Sequence, residues 1–327
     1  MDNFVIIRNN IKSLNIKYSK FYIISDFEIR ISNLTKMHSK NPKLIAIIIA
    51  FAIILGDVLV WQQIFASSGA GVTHDYFLDV GQGDSELIVF PGNIKVMTDA
   101  GPTDEVVGDL EKVLPSGDDY IDVAIISHPQ LDHFNGYNFI LDHYKIGAFI
   151  YNGRDDDPSV KEWPELKAKI KALGIPLITL GMGDKIISGK NEIDMLSPNA
   201  DFDESAELND TGFVELIKTP EFTTMLTADI GFNVEDWLVA NYKNIHADVL
   251  KVPHHGSKYS SGDEFLKAVN PEVAVIEVGA KNVYGHPGSS TLARLASDTE
   301  ALVLRTDQNG TVEVYPEDGK LKVFREK

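Results

Sequence analysis

The sequence predicts an α/β protein in which two mixed sheets pack face to face with helices on the outside. Three observations carry this expectation. From His74 onward, short runs rich in Val, Ile and Phe are separated by Gly- and Pro-bearing turns, the pattern of strands. Each half opens on adjacent strand-like runs and continues with alternating helix and strand signals, which suits two packed layers. The chain has 327 residues, 44% of them hydrophobic, ample for a large core.

The elements follow in order. "DYFLDV" (75–80), "ELIVF" (86–90) and "IKVMTD" (94–99) read as strands parted by "GQGD" and "PGN" turns. Residues 104–114 read as a helix. "DVAIIS" (122–127) is a continuous apolar run, as in a strand covered on both faces. A helix is expected near 136–144, then the strand "GAFIY" (147–151). Trp163, Leu166, Ile170 and Leu173 recur at i, i+3, i+7 and i+10, a helix with one buried stripe. That stripe is core, not a cofactor box. Beyond Pro176 come further strands, with "VELIK" (214–218) and "FTTMLTAD" (222–229) prominent. Then follow a helix, the strand "DVLKV" (248–252), a helix, the strand "EVAVIEV" (272–278), a last helix near 290–296 and short terminal strands.

A different segment precedes this body. In residues 44–66 Asp57 is the single charged side chain. About 20 apolar residues span a bilayer, and a central Asp costs roughly 2.5–3.5 kcal/mol on insertion scales. Lys36, Lys40 and Lys43 precede the run, and the next Lys or Arg is Lys95. The positive-inside rule then places the N-terminus in the cytoplasm and residues 71–327 outside, behind a transmembrane signal anchor at 44–66. Two rivals are a buried core helix and a signal peptide cleaved at "ASSGA" (66–70), which would release a secreted protein. Residues 1–36 show no clean period, and Met37 opens a compact basic lead-in, "MHSKNPK". Residues 1–43 are therefore either a cytoplasmic tail or a mis-called start with Met37 as the true first residue.

Composition narrows the chemistry. The net charge is −18, with eight Lys/Arg against three Asp/Glu in residues 1–43 but 22 against 44 in residues 71–327. So acidic a body disfavours broad, non-specific nucleic-acid binding, though not a local site that meets a phosphate through metal ions. There is no cysteine, hence no disulfide, thiolate ligand or cysteine nucleophile.

Acid and imidazole side chains gather where the apolar runs end. His128 and Gln130 in "SHPQLDH" point the same way in an extended segment, and Asp132 and His133 open the next helix. Asp229 ends a run in "LTADIG", His254 and His255 follow another in "KVPHHGS", and His286 lies in the turn "NVYGHPGSS". A lone histidine is more often structural. Five of the nine histidines within three such loops are most economically explained by a metal centre.

The spacing His-x-Gln-x-Asp-His resembles the His-x-His-x-Asp-His signature of the metallo-β-lactamase fold. In order, "FLDVGQGDSELI", "TDAG", "SHPQLDH", "LNDTGFVEL", "LTADIG", "VPHHGS", "YGHP" and "RTDQNG" resemble the domain attached to ComEC-type DNA-uptake channels, from about His74 to Val314. The resemblance is to the stand-alone, membrane-tethered form of that domain. It implies an αββα metallo-β-lactamase sandwich. It also implies one metal position formed by Asp132, His133, Asp229 and one of His254 and His255, with His255 favoured because Gly follows it. His128 and Gln130 would lean to a second ion bridged by Asp229. Asp99 would hold ligands in place by hydrogen bonds, and Asn209, beside Asp210, falls where those relatives carry an Asn-rich motif.

Two departures thin the second position. Gln130 replaces a histidine, and no histidine lies between His143 and His246. The oxygen-rich set moves the expected metal from zinc toward manganese or magnesium. One or two divalent ions are expected, Mn or Zn foremost and Mg as a further option. Asp132 and His286 are the expected catalytic residues, with the "HGS" backbone a rival to His286 as the group that steadies developing charge. The expected substrate is a phosphodiester such as single-stranded DNA, met by Lys251, Lys258 and Lys281. Expected partners are the membrane, through one helix, and a separate channel protein. The alternatives are a cell-envelope phosphoester hydrolase and a non-catalytic module, with a weakened metal site, that binds DNA or a partner.

Overall fold

Strands with apolar residues on both faces need a cover on each, and this chain supplies two. The computed structural model describes residues 4–8, 11–15, 71–155, 160–203 and 205–327. Among these, one sheet runs, in spatial order, through strands Leu302–Arg305, Val273–Ile276, Val249–Lys251, Thr223–Leu226, Val214–Lys218, Asn191–Ser197, Lys185–Ser188, Val5–Arg8 and Ile11–Asn15. The other runs through Lys320–Arg325, Val312–Glu317, His74–Phe77, Glu86–Phe90, Ile94–Thr98, Tyr120–Ile126, Lys145–Tyr151 and Leu177–Thr179. Both are mixed: the runs from 94–98 to 177–179 and from 223–226 to 302–305 are parallel, and the rest antiparallel.

The core between the sheets is built from inward residues of both, among them Phe77, Ile125, Ile150, Phe213, Ile217 and Val249. On the outer face of the second sheet, helices Glu105–Val113 and Glu162–Ala172 bury Val106, Leu110, Trp163 and Leu166. Helices Phe232–Asn241 and Asp263–Val269 do the same for the first, through Val234, Leu238, Phe265 and Leu266. This is the αββα sandwich expected from the sequence.

Local departures have local causes. The strand expected over 75–80 stops at Phe77, and just beyond it the Val80 N–H turns back to the Leu78 carbonyl at 3.0 Å. The helix expected near 136–144 is two single turns, Leu131–Phe134 and Tyr137–Ile140, folded tightly onto residues 99–101. A Cβ on Gly136 would lie 1.9 Å from the Ala100 carbonyl oxygen, so only glycine permits that approach. Leu173 is 59% exposed rather than part of the buried stripe, since its helix ends at Ala172.

Val5, Ile6 and Ile7 pair antiparallel with Ile187, Ile186 and Lys185, and Ile6 is buried in the inter-sheet core. A strand of four residues is too short to show a period in the sequence. The expected span at 44–66 and the expected start at Met37 lie outside the described residues. Among the described residues, no helix is long and apolar enough to cross a membrane.

Glu215 and Asp75 are carboxyls buried within the sheets. Thr98 Oγ1 donates to Glu215, and Thr224 Oγ1 donates to Asp75. Burial pushes Glu215 up to about 8 and Asp75 up to about 7. The folded protein thus holds protons that the unfolded chain has released, so stability is full below the ordinary carboxyl range and falls as pH rises to about 8. Glu215→Gln keeps an oxygen acceptor for Thr98 and should flatten part of that decline in thermal unfolding, at roughly 2–4 °C per kcal/mol retained. An unchanged pH profile would show that Glu215 is ionised in the fold.

Candidate metal centre

The parallel strands of both sheets end toward one region, and the polar residues follow directly on those ends. Ile94–Thr98 leads to Asp99, Tyr120–Ile126 to Ser127 and His128, Thr223–Leu226 to Asp229, and Val249–Lys251 to His254 and His255. Asp99, Ala228, His254 and His255 all have φ between 44° and 55°, the left-handed region that non-glycine residues avoid. Hydrogen bonds from neighbouring loops hold this backbone. Ala100 N–H donates to His133 O at 2.7 Å, Phe213 N–H to Ser127 O at 3.1 Å, and His254 N–H to Ala228 O at 3.0 Å.

Asp132, His133, Asp229 and His255 converge, with one ligand atom of each within 4.8 Å of the others. Asp229 Oδ2 lies 3.6 Å from His133 Nε2 and 3.4 Å from His255 Nε2, and Asp132 Oδ2 lies 3.5 Å from His255 Nε2. Each imidazole is set from behind. His133 Nδ1 donates to Asp99 Oδ2 at 2.7 Å, and His255 Nδ1 donates to Glu277 O at 2.9 Å. Both Nε2 atoms are buried with no hydrogen-bond partner, although polar atoms are seldom left so. Two inward Nε2 atoms and two carboxylates fit a divalent ion.

The other expected residues sit around this cluster. Asp99 Oδ1 accepts from Ser127 N–H at 2.9 Å and Oδ2 from Ser127 Oγ at 2.5 Å, so it fixes the His133 ring and the following loop together. His128 lies with its ring centre 4.1 Å from that of His133, but its Nε2 is paired with the Gln130 side-chain amide at 3.2 Å. Thus Gln130 occupies the nitrogen that a second ion would need. His254 Nε2 lies 3.6 Å from Asp229 Oδ2 and 3.5 Å from Asn209 Nδ2, beside the four-residue cluster. His286 faces His254 and His255 at ring distances of 5.7 and 6.4 Å. A cavity of about 310 Å³ joins these residues, lined by Gln130, Asp132, Asn209, Asp229, His255 and His286, among others.

Two residues escaped the sequence reading as parts of the centre. Asp84, fully buried, places Oδ1 3.1 Å from His255 Nδ1 and Oδ2 3.7 Å from His133 Nδ1. Its signal was the "GQGD" turn, where a Cβ on Gly83 would lie 2.3 Å from Asp132 O. Lys251 was expected to meet a phosphate. It is wholly buried instead, its ammonium on Asp84 Oδ2, so it cannot reach substrate. The apolar company of "VLKV" was the sign that it points inward.

Burial disfavours the charged form of every group here, and the neighbours decide which ionise. Against that cost, Asp229 and Asp99 hold His133 well above the usual imidazole range, and Asp229 and Asp84 do the same for His255. His128 is driven down to about 4 by burial and by the adjacent His133. His255 and His133 outweigh burial at Asp229 and keep it well below the usual carboxylate range.

Comparison with known proteins agrees with this architecture. A model of the metallo-β-lactamase superfamily matches residues 78–279, and the chain belongs to that superfamily. It is similar to ComE operon protein 3 of Bacillus subtilis (strain 168), with 32% identity over 254 residues, 72% of this chain and 32% of that protein. It is also similar to Recombination protein 2 of Haemophilus influenzae, with 29% identity over 287 residues, 86% of this chain and 32% of that protein. The chain thus spans about one third of the length of these relatives. Among solved structures, Tm1679, a metal-dependent hydrolase of the β-lactamase superfamily, aligns with a TM-score of 0.49 at 15% identity, covering 75% of this chain and 100% of that one.

A protonated imidazole cannot bind a metal, so metal uptake must displace the protons held on His133 and His255. Affinity for Mn²⁺ or Zn²⁺ should therefore rise with pH through neutrality. Calorimetry in two buffers of different ionisation enthalpy should register proton release, and pH-independent affinity would contradict this ligand set. Asp99→Asn should weaken binding by roughly 10–100-fold by loosening His133.

Proposed function

We propose that this chain is a metal-dependent phosphodiesterase acting on DNA during uptake, held outside the cytoplasmic membrane. The observation that carries the reading is the pair of buried, unpartnered Nε2 atoms of His133 and His255, facing Asp132 and Asp229 beside an open cavity. Asp132, His133, Asp229 and His255 would hold a divalent ion, Mn or Zn foremost. Such an ion, when bound, supplies Lewis-acid polarisation of a phosphoryl oxygen and acidifies a coordinated water.

The remaining work falls to the chain. Asp132 has a side chain 30% exposed, so its carboxylate can accept a hydrogen bond from an attacking water. Burial, then His255 and His254, lower His286 from the ordinary value, so its imidazole is neutral near pH 7 and offers one N–H to developing charge. In the "HGS" segment the Ser257 N–H is already spent on His254 O at 2.8 Å, which favours His286 for that task.

DNA is favoured by the mouth of the site. Tyr284 lines the cavity, is 66% exposed, and stacks on His286 at 5.8 Å and 16°. A base released from its stack finds a platform there. Lys258 and Lys281 are exposed on the loops that carry His255 and His286, a local basic exception in an acidic body. A further relative, Competence protein ComA of Neisseria gonorrhoeae, 37% identical over 102 residues (31% of this chain, 15% of that protein), supports the same reading. A separate channel protein is the partner this reading implies. A single span at 44–66 would put residues 5–8 and 185–188 on opposite faces of the membrane, yet they pair. The span and that pairing exclude one another, and protection of residues 71–327 from protease added to intact cells would overturn the extracytoplasmic placement.

With Mn²⁺ or Zn²⁺ the protein should cleave bis-p-nitrophenyl phosphate and single-stranded oligonucleotides. Inactivity with Mn, Mg and Zn alike would leave a DNA- or partner-binding module. Tyr284→Ala should raise KM for an oligonucleotide roughly 5–100-fold, with little change for one that is abasic at the cleaved position. Gln130→His frees His128 Nε2 and should add metal per chain; an unchanged stoichiometry would show that Gln130 does not limit the second position.

A further inference from the structure

Behind the four converging residues lies a second layer of buried charge. Lys251 is fully buried, and so are Asp84, Glu277 and, nearly, Glu86. The Lys251 ammonium donates to Asp84 Oδ2 and, at 2.8 Å, to Ala228 O, and it lies 3.8 Å from Asp229 Oδ1. A lysine without water is costly unless its charge is met, so the position demands an explanation. Glu86 and Glu277 do not meet it. Burial, with their mutual repulsion and that of Asp84, raises Glu86 well above the carboxylate range, and burial with Asp84 takes Glu277 to about 8. The ion pairs of the Lys251 ammonium are with Asp84 and Asp229 instead.

Each of these carboxylates has one oxygen turned to the lysine and one turned forward. Asp84 gives Oδ2 to Lys251 and Oδ1 to His255 Nδ1 at 3.1 Å. Asp229 turns Oδ1 toward Lys251 and Oδ2 toward the Nε2 atoms of His133, His255 and His254, at 3.6, 3.4 and 3.6 Å. Both acids are thus gripped from behind by one cation, and the forward oxygens are the ones that bear on the metal position.

We propose that Lys251 is a positioning residue of the metal centre, a built-in cation that balances Asp84 and fixes which oxygen Asp229 presents. The proposal rests on the metal-binding reading of Asp132, His133, Asp229 and His255. Without the ammonium, Asp84 faces burial uncompensated and loses its hold on His255, and Asp229 is free to turn. A neutral residue at 84 removes the imbalance, because an amide of the same shape leaves no buried carboxylate that needs the ammonium. The charges at 251 and 84 should therefore be coupled in metal affinity, which a merely space-filling lysine would not produce.

The test is a double-mutant cycle on the full chain, with Mn²⁺ affinity measured by competition against a chromophoric chelator and metal-free unfolding followed in parallel. Lys251→Met and Asp84→Asn should each weaken Mn²⁺ binding, roughly 10–100-fold. The double variant should bind more tightly than either single one. If Lys251→Met does not fold, the comparison of Asp84→Asn with the double variant still reads the coupling. A double variant no better than Asp84→Asn overturns the proposal while leaving the metal centre intact. A wild-type protein that binds no divalent ion overturns both.

Discussion

Ionised groups cannot be buried without partners, and at the meeting of the two sheets this chain buries many together. Asp84 is where the resulting demands are reconciled. It receives the Lys251 ammonium, lies 3.1 Å from His255 Nδ1 and 3.7 Å from His133 Nδ1, and its backbone N–H donates to Asp132 O at 3.2 Å. One carboxylate thereby touches the surroundings of three of the four converging residues. Its own ionisation is favoured against burial by Lys251, then by His255 and His133. Remove that balance and the imidazoles behind it lose the orientation that turns both Nε2 atoms inward.

The backbone around the centre is bent to the same end. Strands end in sharp turns at Asp99, Ala228, His254 and His255, each in a left-handed conformation that costs energy outside glycine. The cost is sustained because every turn is tied to another, across sheets as well as within them. Ser127 O, at the end of one sheet's strand, accepts from Phe213, which precedes a strand of the other. The sandwich therefore delivers the ligands as a set, and movement of one sheet against the other would spoil all of them at once.

The same set explains the unequal standing of the two histidines in the opening loop. His133 has Asp99 behind it and Asp229 before it, so its ring is polarised and aimed. His128, its neighbour in space, is fully buried, has Ser127 Oγ at 3.0 Å and spends its far nitrogen on Gln130. A histidine at 130 would offer a second imidazole there; the glutamine offers an amide oxygen that is already engaged. The question of one ion or two is therefore one of competition for His128 Nε2.

Much of this was legible in the order of residues. Strands such as Glu86–Phe90 and Val214–Lys218 announce themselves, because apolar runs bounded by glycine and proline fix local structure with little help. So does the list of candidate ligands, since imidazoles and carboxylates cluster in sequence where strands end. Tertiary structure decided what sequence distance conceals. It separated His255 from His254, adjacent in the chain, by the turn that sends one ring into the cluster and the other beside Asn209. It drew in Asp84, about 50 residues before His133 and far from His255, and it turned Lys251 from an apparent phosphate contact into a buried counter-ion. The physical reason is that local pattern governs which strands form, whereas charge pairing is settled by whatever lies across the gap once the two sheets close.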